Sequence, residues 1–415
     1  MSLQLGVVAD DLTGACDVAA GVHALGVDAE VRLGVPDSGA APEARVVIVA
    51  LKSRTAPAAE AVRDSVASAR VLRSWGARRL YLKYCSTFDS TDEGNIGPVA
   101  DALLDLAGED AAAVGTPATP AAARTMHRGH LFVGDRLLSE SSLAHHPLTP
   151  MRDADLIRVL ARQTPRPVAG IPLEILHAGP AAVAGRIAEL RAQGVRHVLL
   201  DAVEDGDLDA AAAAAAGAPD LILTGAAGFA AALARSLGGA AAPSVEPPPD
   251  GARLILSGSG SERTRAQVSA YRGPSHPIDV SALVAEPTAV VAEVMRFVGR
   301  AAGTPLVTAT AEPEEVARLQ ARWGRDRTAA LVEDALARVA VAAVEECGVR
   351  RVLVAGGETS GAVAAALGAT VLRVRRIAAP GVAWTTATDP SGRVLDLCFK
   401  SGNFGGTDFF DRAWD

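Results

Sequence analysis

The sequence predicts an α/β protein: two α/β domains with largely parallel sheets, joined by a Pro-rich linker. Three observations carry this. Short Val-, Ile- and Leu-rich runs alternate with longer helical stretches along most of the chain. The core must be built from Ala, Val, Leu and Ile, because 49% of residues are hydrophobic and only 4% aromatic. The segment from Gly238 to Gly251, with Pro247-Pro248-Pro249 near its end, reads as a stiff, extended connection. It divides the 415 residues into domains at 1–240 and 252–415.

Residues 3–8 are a short apolar run, followed by Ala9-Asp10-Asp11-Leu12-Thr13-Gly14. Ala15, Val18, Ala19, Val22 and Leu25 then recur at helical spacing, and Gly26 stops the helix. A strand at 45–51, a helix at 58–75 and a strand at 79–83 repeat the pattern. Residues 116–150 are less periodic and rich in Pro, His and Gly, an excursion of the kind that carries sites. Helices at 155–163 and 181–193, strands at 197–201 and 220–224, and an Ala-rich helix at 209–218 complete the first domain. Beyond the linker come strands at 253–256, 305–308 and 351–355, and helices at 262–271, 288–300 and 328–347.

Formal net charge is −8, which argues against general nucleic-acid binding. The four cysteines, Cys16, Cys85, Cys347 and Cys398, show no CxxC spacing and read as free thiols of a reducing compartment. No basic leader precedes the first strand, and no segment offers about 20 apolar residues free of charge. A cytoplasmic protein without membrane partners is the expectation, with homo-oligomerisation left open. His127, His130, His145 and His146 lack the spacing and neighbouring acids of a metal site and read as polar loop packing.

Three Gly- and Ser-rich segments of the second domain each follow a strand. They are Ser257-Gly258-Ser259-Gly260-Ser261, Gly356-Gly357-Glu358-Thr359-Ser360-Gly361 and Lys400-Ser401-Gly402-Asn403-Phe404-Gly405. Glycine lets backbone approach an anion, and the next helix offers unpaired N–H groups, so the three together suit an adenine nucleotide. They are neither a Walker loop, since Ala362 and Val363 stand where Lys and Ser/Thr are required, nor a dinucleotide fingerprint, since Arg263 takes the last glycine position. That argues against a dinucleotide-dependent oxidoreductase.

In the first domain, Asp10, Asp11 and Thr13 close the first strand. A carboxylate there either caps the following helix or accepts the proton of a substrate hydroxyl as it attacks phosphorus. Lys83, Ser86, Thr87, Asp89 and Asn95 form a second polar cluster, suited to a small polyhydroxy acid. Arg54, in Lys52-Ser53-Arg54-Thr55, suits that acid's carboxylate.

On these segments, and on Gly129-His130-Leu131-Phe132-Val133-Gly134-Asp135 and His146-Pro147-Leu148-Thr149-Pro150-Met151, the chain resembles the four-carbon acid sugar kinases, in order and over nearly its whole length. It is most similar to their 3-oxo-tetronate kinase branch. The resemblance implies a substrate-binding N-terminal domain, an ATP-binding C-terminal domain and an active site in the interdomain cleft. It implies transfer of phosphate from ATP, with Mg²⁺, to the 4-hydroxyl of a 3-oxo-tetronate (3-dehydro-erythronate), giving the 4-phosphate. Asp11 or Asp10 would accept the proton. Thr13, Arg54, Lys83, Ser86, Thr87, Asp89 and Asn95 would hold the acid. Ser257, Gly258, Ser259, Gly356, Gly357, Glu358, Thr359, Ser360, Gly361, Gly402, Asn403 and Gly405 would hold ATP. No protein ligand to a metal is assigned. Threonate and erythronate kinases of the family carry an Asp-Ser-Thr-Leu-Arg-Gly-Asn-like stretch. Here Cys85 replaces its acid and the Arg is absent, a departure that favours the oxo acid. A plain threonate or erythronate kinase and a non-catalytic sugar-acid sensor are the alternatives.

Overall fold

The computed structural model describes residues 3–145, 149–238 and 247–414. The chain divides into two compact units, Met1–Pro243 and Ser244–Asp415. Most of the expected linker, residues 239–246, lies outside the described residues, as do His146 and the side chain of His145.

The first unit opens with β1 (Leu5–Ala9), α1 (Leu12–Ala24), β2 (Ala29–Leu33), β3 (Val46–Ala50), α2 (Ala58–Ser74) and β4 (Arg79–Lys83). Then come α3 (Ile96–Ala107), β5 (Ala113–Thr116), β6 (Arg124–His127), β7 (His130–Val133) and β8 (Arg136–Leu137). It closes with α4 (Leu156–Ala161), β9 (Val168–Ile171), α5 (Leu173–His177), α6 (Pro180–Ala192), β10 (His197–Leu200), α7 (Asp205–Ala216), β11 (Ile222–Gly225) and α8 (Ala227–Arg235). Its main sheet is parallel, in the order β2-β3-β1-β4-β11-β5-β10-β9.

All five residues of β3 are buried, as are those of β1. A continuous apolar run is what a parallel strand covered on both faces requires. Ala9 of β1 stands opposite Ala50 of β3 on one side and Lys83 of β4 on the other. Three strands therefore end side by side at the level where ligands bind in open α/β sheets. Residues 117–145, the described stretch that follows β5, leave the main sheet, as expected for the excursion. Their backbone pairs as the small antiparallel sheet β6-β7-β8. Arg128 and Gly129, both with positive φ (51° and 76°), make the two-residue turn between β6 and β7. Asp201 holds both turn amides, from Arg128 at 2.6 Å and from Gly129 at 3.0 Å. The Ala-rich helix α7 starts at Asp205, ahead of the expected 209, because Glu204 and Asp207 form a capping box.

The second unit contains β12 (Ala252–Ser257), α9 (Glu262–Ala270), β13 (Ser275–Pro277), α10 (Val280–Ala285), α11 (Pro287–Arg300) and β14 (Leu306–Thr308). It continues with α12 (Pro313–Trp323), α13 (Arg325–Glu346), β15 (Val349–Ala355) and α14 (Gly357–Ala366). Last come β16 (Val371–Ala379), β17 (Val382–Thr388), β18 (Val394–Lys400) and α15 (Phe409–Arg412). Strand order is β13-β14-β12-β15-β18-β17-β16, parallel through β18 and antiparallel beyond. The β16–β17 hairpin is absent from the sequence reading. β16 carries three arginines and an irregular burial pattern, and β17 is mostly Thr and Ala, both weaker signals than the Val-, Ile- and Leu-rich runs of the parallel strands.

The core of this unit gathers Ile255, Leu353, Trp384, Phe409, Phe410 and Trp414. The Trp384 and Trp414 rings lie 4.9 Å apart, and the Trp384 indole N–H donates to the Ala413 carbonyl at 2.7 Å. Asp396 of β18, fully buried, accepts from Arg375 at 2.7 and 3.0 Å and from Arg351 at 3.2 Å. Among the described residues, no helix is long and apolar enough to cross a membrane.

Candidate active site

At the ends of β1, β3 and β4 the backbone is laced together. Asp10 N–H donates to the Lys83 carbonyl at 3.0 Å, and the Asp10 carbonyl accepts from Ser53 (3.0 Å) and Arg54 (3.1 Å). The Arg54 guanidinium then reaches back to both aspartates. Nε and Nη2 donate to the two Asp10 oxygens at 2.8 and 2.9 Å, and Nη2 also donates to Asp11 Oδ1 at 2.6 Å. Asp11 caps α1: its Oδ1 accepts from the Gly14 amide at 2.9 Å, and its Oδ2 accepts from the Thr13 hydroxyl. Capping and site geometry coincide in one carboxylate.

Burial alone would raise the Asp11 carboxyl, but Arg54, Lys83, the Thr13 hydroxyl and the Gly14 amide together hold it below the usual range. It is a firmly ionised acceptor. Each Asp10 oxygen takes one bond from Arg54, so a second lone-pair site remains on each. The Arg54 Nη1 amino group lies outside these bonds.

Lys83, at the end of β4, is buried and donates to the Tyr84 carbonyl at 2.8 Å. It packs so tightly on α1 that a Cβ on Gly14 would lie 2.7 Å from Nζ. Thr87 donates to Asp89 at 2.6 Å, and the Cys85 thiol lies 3.0 Å from the Thr87 hydroxyl. Burial and then the Asp89 charge push that thiol up to about 11, so it is neutral at physiological pH. Phe88 is fully buried with a positive φ of 52°, a conformation bulky residues rarely adopt, and it bends the chain over the strand end. Ser86 is half-buried and makes no side-chain hydrogen bond among the described residues. Asn95 is buried and donates to the Ser53 carbonyl at 2.7 Å and the Ala56 carbonyl at 3.0 Å, which sets the turn that carries Arg54.

Two residues near this cluster were missed in the sequence. Asp17 lies on α1, four residues after Thr13 and so on its face. Burial pushes its carboxyl up to about 6 against the opposing pull of Lys83. Arg124 opens β6, and its charge is felt by Asp17. The signals were an acid inside an apolar helix pattern and a cation inside the flagged excursion.

In the second unit, β12, β15 and β18 are neighbours, and the three Gly-rich segments leave their carboxyl ends together. Gly258 N–H donates to the Ala355 carbonyl at 3.0 Å, and Gly356 N–H to the Lys400 carbonyl at 2.9 Å. A Cβ on Gly258 would lie 2.2 Å from the Thr359 hydroxyl, so only glycine fits without a shift. Gly356, with φ 126°, is the backbone cap of α14 and makes no side-chain cap bond. The first-turn amides from Gly357 onward therefore point to an acceptor outside the helix. Ser257 pairs its hydroxyl with Thr310 at 2.7 Å, and Ser259 lies 3.3 Å from the Ser261 hydroxyl. The Ser360 hydroxyl is buried without a hydrogen-bond partner among the described residues. Glu358 and Gly361 are half-buried on α14.

The Gly402 carbonyl gathers the third loop, accepting from Ser261 (2.7 Å), Thr264 (2.9 Å) and Lys400 (3.1 Å). Lys400 Nζ also reaches the Ser401 carbonyl at 3.0 Å and the Thr264 hydroxyl at 3.2 Å. Burial pushes this lysine down to about 7. Gly405 (φ 82°) turns the loop back against Phe409, while Asn403 is exposed.

The comparisons agree with this two-part reading. Residues 5–233 match the family model described as a sugar-binding N-terminal domain, and residues 254–410 the one described as a nucleotide-binding C-terminal domain. The chain is 46% identical to the 3-oxo-tetronate kinase of Burkholderia multivorans, over 99% of this chain and 96% of that protein. It is 45% identical to the 3-oxo-tetronate kinase of Pseudomonas fluorescens, with the same two coverages. Among solved structures, a Salmonella typhimurium LT2 protein described as a candidate tRNA synthase aligns with TM-score 0.86 at 37% identity, covering 99% of this chain and 98% of that one. A Haemophilus influenzae protein grouped under DUF1537 aligns with TM-score 0.76 at 37% identity, covering 99% of each chain.

Proposed function

The chain belongs to the four-carbon acid sugar kinase family, and from that premise we propose that it transfers the γ-phosphoryl group of ATP to the 4-hydroxyl of a 3-oxo-tetronate. The observation that carries the reading is the full-length similarity to enzymes named 3-oxo-tetronate kinase. The residues supply a physical rationale. In the second unit the loops around Ser257, Gly258 and Ser259, the α14 turn from Gly356 to Gly361, and Gly402, Asn403 and Gly405 offer amides and hydroxyls to a triphosphate. Hydroxyls and amides outnumber carboxylates there, which fits a Mg²⁺ that rides on phosphate oxygens and keeps several waters. Bound there, Mg²⁺ would neutralise phosphate charge.

In the first unit the acid would lie among Thr13, Lys83, Ser86, Thr87 and Asp89, with Arg54 and Asn95 fixing the aspartates and their turn. Asp10 or Asp11 orients the attacking hydroxyl and takes its proton late. Phosphoryl transfer through a loose transition state asks for placement and charge neutralisation more than for a strong base. An ionised carboxylate of low basicity therefore suffices. The test is ADP release, coupled to a spectrophotometric readout, over D- and L-tetronates and their 3-oxo forms. Turnover should be highest with a 3-oxo acid. ADP release no faster than the acid-free blank throughout the panel would remove the kinase reading. A plain tetronate outpacing every oxo form would remove the substrate assignment.

A further inference from the structure

Within the first unit, Arg124 is a cation without a counter-ion among the described residues. The structure places it firmly. Beyond β5 the chain turns through Pro120–Ala122, and Ala123 adopts a left-handed φ of 56°. Arg124 and Thr119 then exchange backbone hydrogen bonds, at 2.8 and 3.2 Å. The Arg124 side chain is half-buried and makes no ion pair among the described residues. Nη1 donates to the Ala122 carbonyl, which pins one corner of the guanidinium. Nε is buried and has no hydrogen-bond partner among the described residues.

The groups whose charge acts on Arg124 come from two other elements. They are Cys85 and Asp89, from the turn after β4, and Asp17, from α1. None lies within ion-pair distance, and Cys85 is a neutral thiol. Burial pulls the guanidinium below its usual pKa, and these neighbours only partly oppose that. The other two cations of the cluster are already engaged. Arg54 holds Asp10 and Asp11, and Lys83 holds the Tyr84 carbonyl. A desolvated cation with an unused donor is unfavourable unless an anion completes it. A guanidinium fork fits a carboxylate in two-point fashion.

We propose that Arg124 is the residue that reads the carboxylate of the four-carbon acid, and so sets the preference for an acid over a neutral sugar derivative. This rests on the kinase reading for the identity of the ligand. It moves carboxylate recognition from Arg54, where the sequence put it, to a residue of the excursion.

The test separates binding from turnover. D-Erythronate and its primary amide are titrated calorimetrically into the full chain, the Arg124→Gln variant and the Arg124→Lys variant. Acid affinity should fall about 10- to 100-fold in Arg124→Gln, the range for a lost charged hydrogen bond. Amide affinity should change by less than about threefold, and Arg124→Lys should recover part of the acid affinity but not all, since it restores charge without the fork. A residue that only supports the fold would weaken both ligands alike. An unchanged acid-to-amide ratio in Arg124→Gln overturns the assignment. If that variant does not fold, the ratio in Arg124→Lys decides: a parental ratio overturns the proposal and a reduced one supports it. Acid binding that depends on Arg124 without any ADP release would keep this inference and remove the kinase reading. A parent that binds neither D-erythronate nor a 3-oxo-tetronate, titrated in the same way, overturns both.

Discussion

Replacing Lys400 by Met isolates the titration of one buried lysine at the junction of the three loops. Its ammonium has three acceptors, one for each proton, yet burial pushes its pKa from 10.5 down to about 7. The sign follows from proton counts. Between about 7 and 10.5 the unfolded chain holds a proton on this lysine that the folded chain has released, so rising pH favours the folded state. Below about 7 both states are protonated, and the penalty stays constant. The slope cannot exceed about 1.4 kcal/mol per pH unit, so from pH 7 to 8.5 the parent should gain about 1–2 kcal/mol relative to Lys400→Met. Comparing the two proteins cancels the titration of other groups. The assay is urea unfolding of each protein at both pH values, followed by tryptophan fluorescence. Trp323, Trp384 and Trp414 lie in the second unit and Trp75 in the first, so both proteins carry Trp75→Phe to make the signal report the second unit. Parallel pH profiles would refute the reasoning and show that the three acceptors, not burial, govern the ammonium.

Asp10→Asn and Asp11→Asn should each lower kcat at least about 100-fold with ATP affinity little changed, and each should lower stability by about 1–3 kcal/mol, because each weakens the charged hydrogen bonding to Arg54 while Asn still caps α1. Steady-state kinetics and a melting curve check both, and near-parental turnover in the two variants would end the proton-acceptor assignment. Gly258→Ala puts a methyl 2.2 Å from the Thr359 hydroxyl, and ATP affinity by calorimetry should fall at least about tenfold, with unchanged affinity counting against this loop. Asp17→Asn should stabilise the first unit above pH 6, because the folded carboxyl titrates near 6 and its ionisation opposes folding; allowing for partial solvent access, we expect about 1–2 kcal/mol. That gain should vanish below about pH 4, and a gain that persists there would show that it does not come from ionisation.

Many of the parallel strands were legible because burial on both faces leaves mostly apolar residues, while β2, with Glu30 and Arg32, and the short β5, β9 and β13 were not read. The run Val46 to Ala50 announces itself, and 79–83 was read with the bounds observed for β4. The site's neighbourhoods were legible for a related reason. Polar residues directly after such runs can only sit at the open end of the sheet, and this picked out Asp10, Asp11, Arg54 and Lys83 in the first unit. The hairpin β16–β17 was not legible, because its register is set by pairing between segments and not by composition. Arg124 escaped for a similar reason. Its place depends on a left-handed Ala123, which no local residue preference announces. The partners of Arg54 were equally hidden, since one-dimensional spacing cannot tell an arginine that awaits a ligand from one that already grips two aspartates.

The charged groups at the strand ends fall into two energetic classes, and the division bears on function. Asp11 is held below the usual carboxylate range, so its ionisation favours folding; Asp17 and Lys400 are displaced in the direction that opposes it. A fold selected only for stability would replace the second class with apolar residues of similar size, because removing buried charge often stabilises. Asp17 and Lys400 lie beside loops that leave the carboxyl ends of parallel strands, whereas Arg79, at the amino end of β4, and Arg351, inside β15, are displaced by burial in the same unfavourable direction. At Asp17 and Lys400 the unfavourable burial stands beside loops that can meet a ligand, which is where a bound anion or cation would complete the electrostatics. The buried triad of Asp396, Arg351 and Arg375 shows the contrast. It lies away from the strand ends, each of its groups finds a partner inside the protein, and it asks for no ligand.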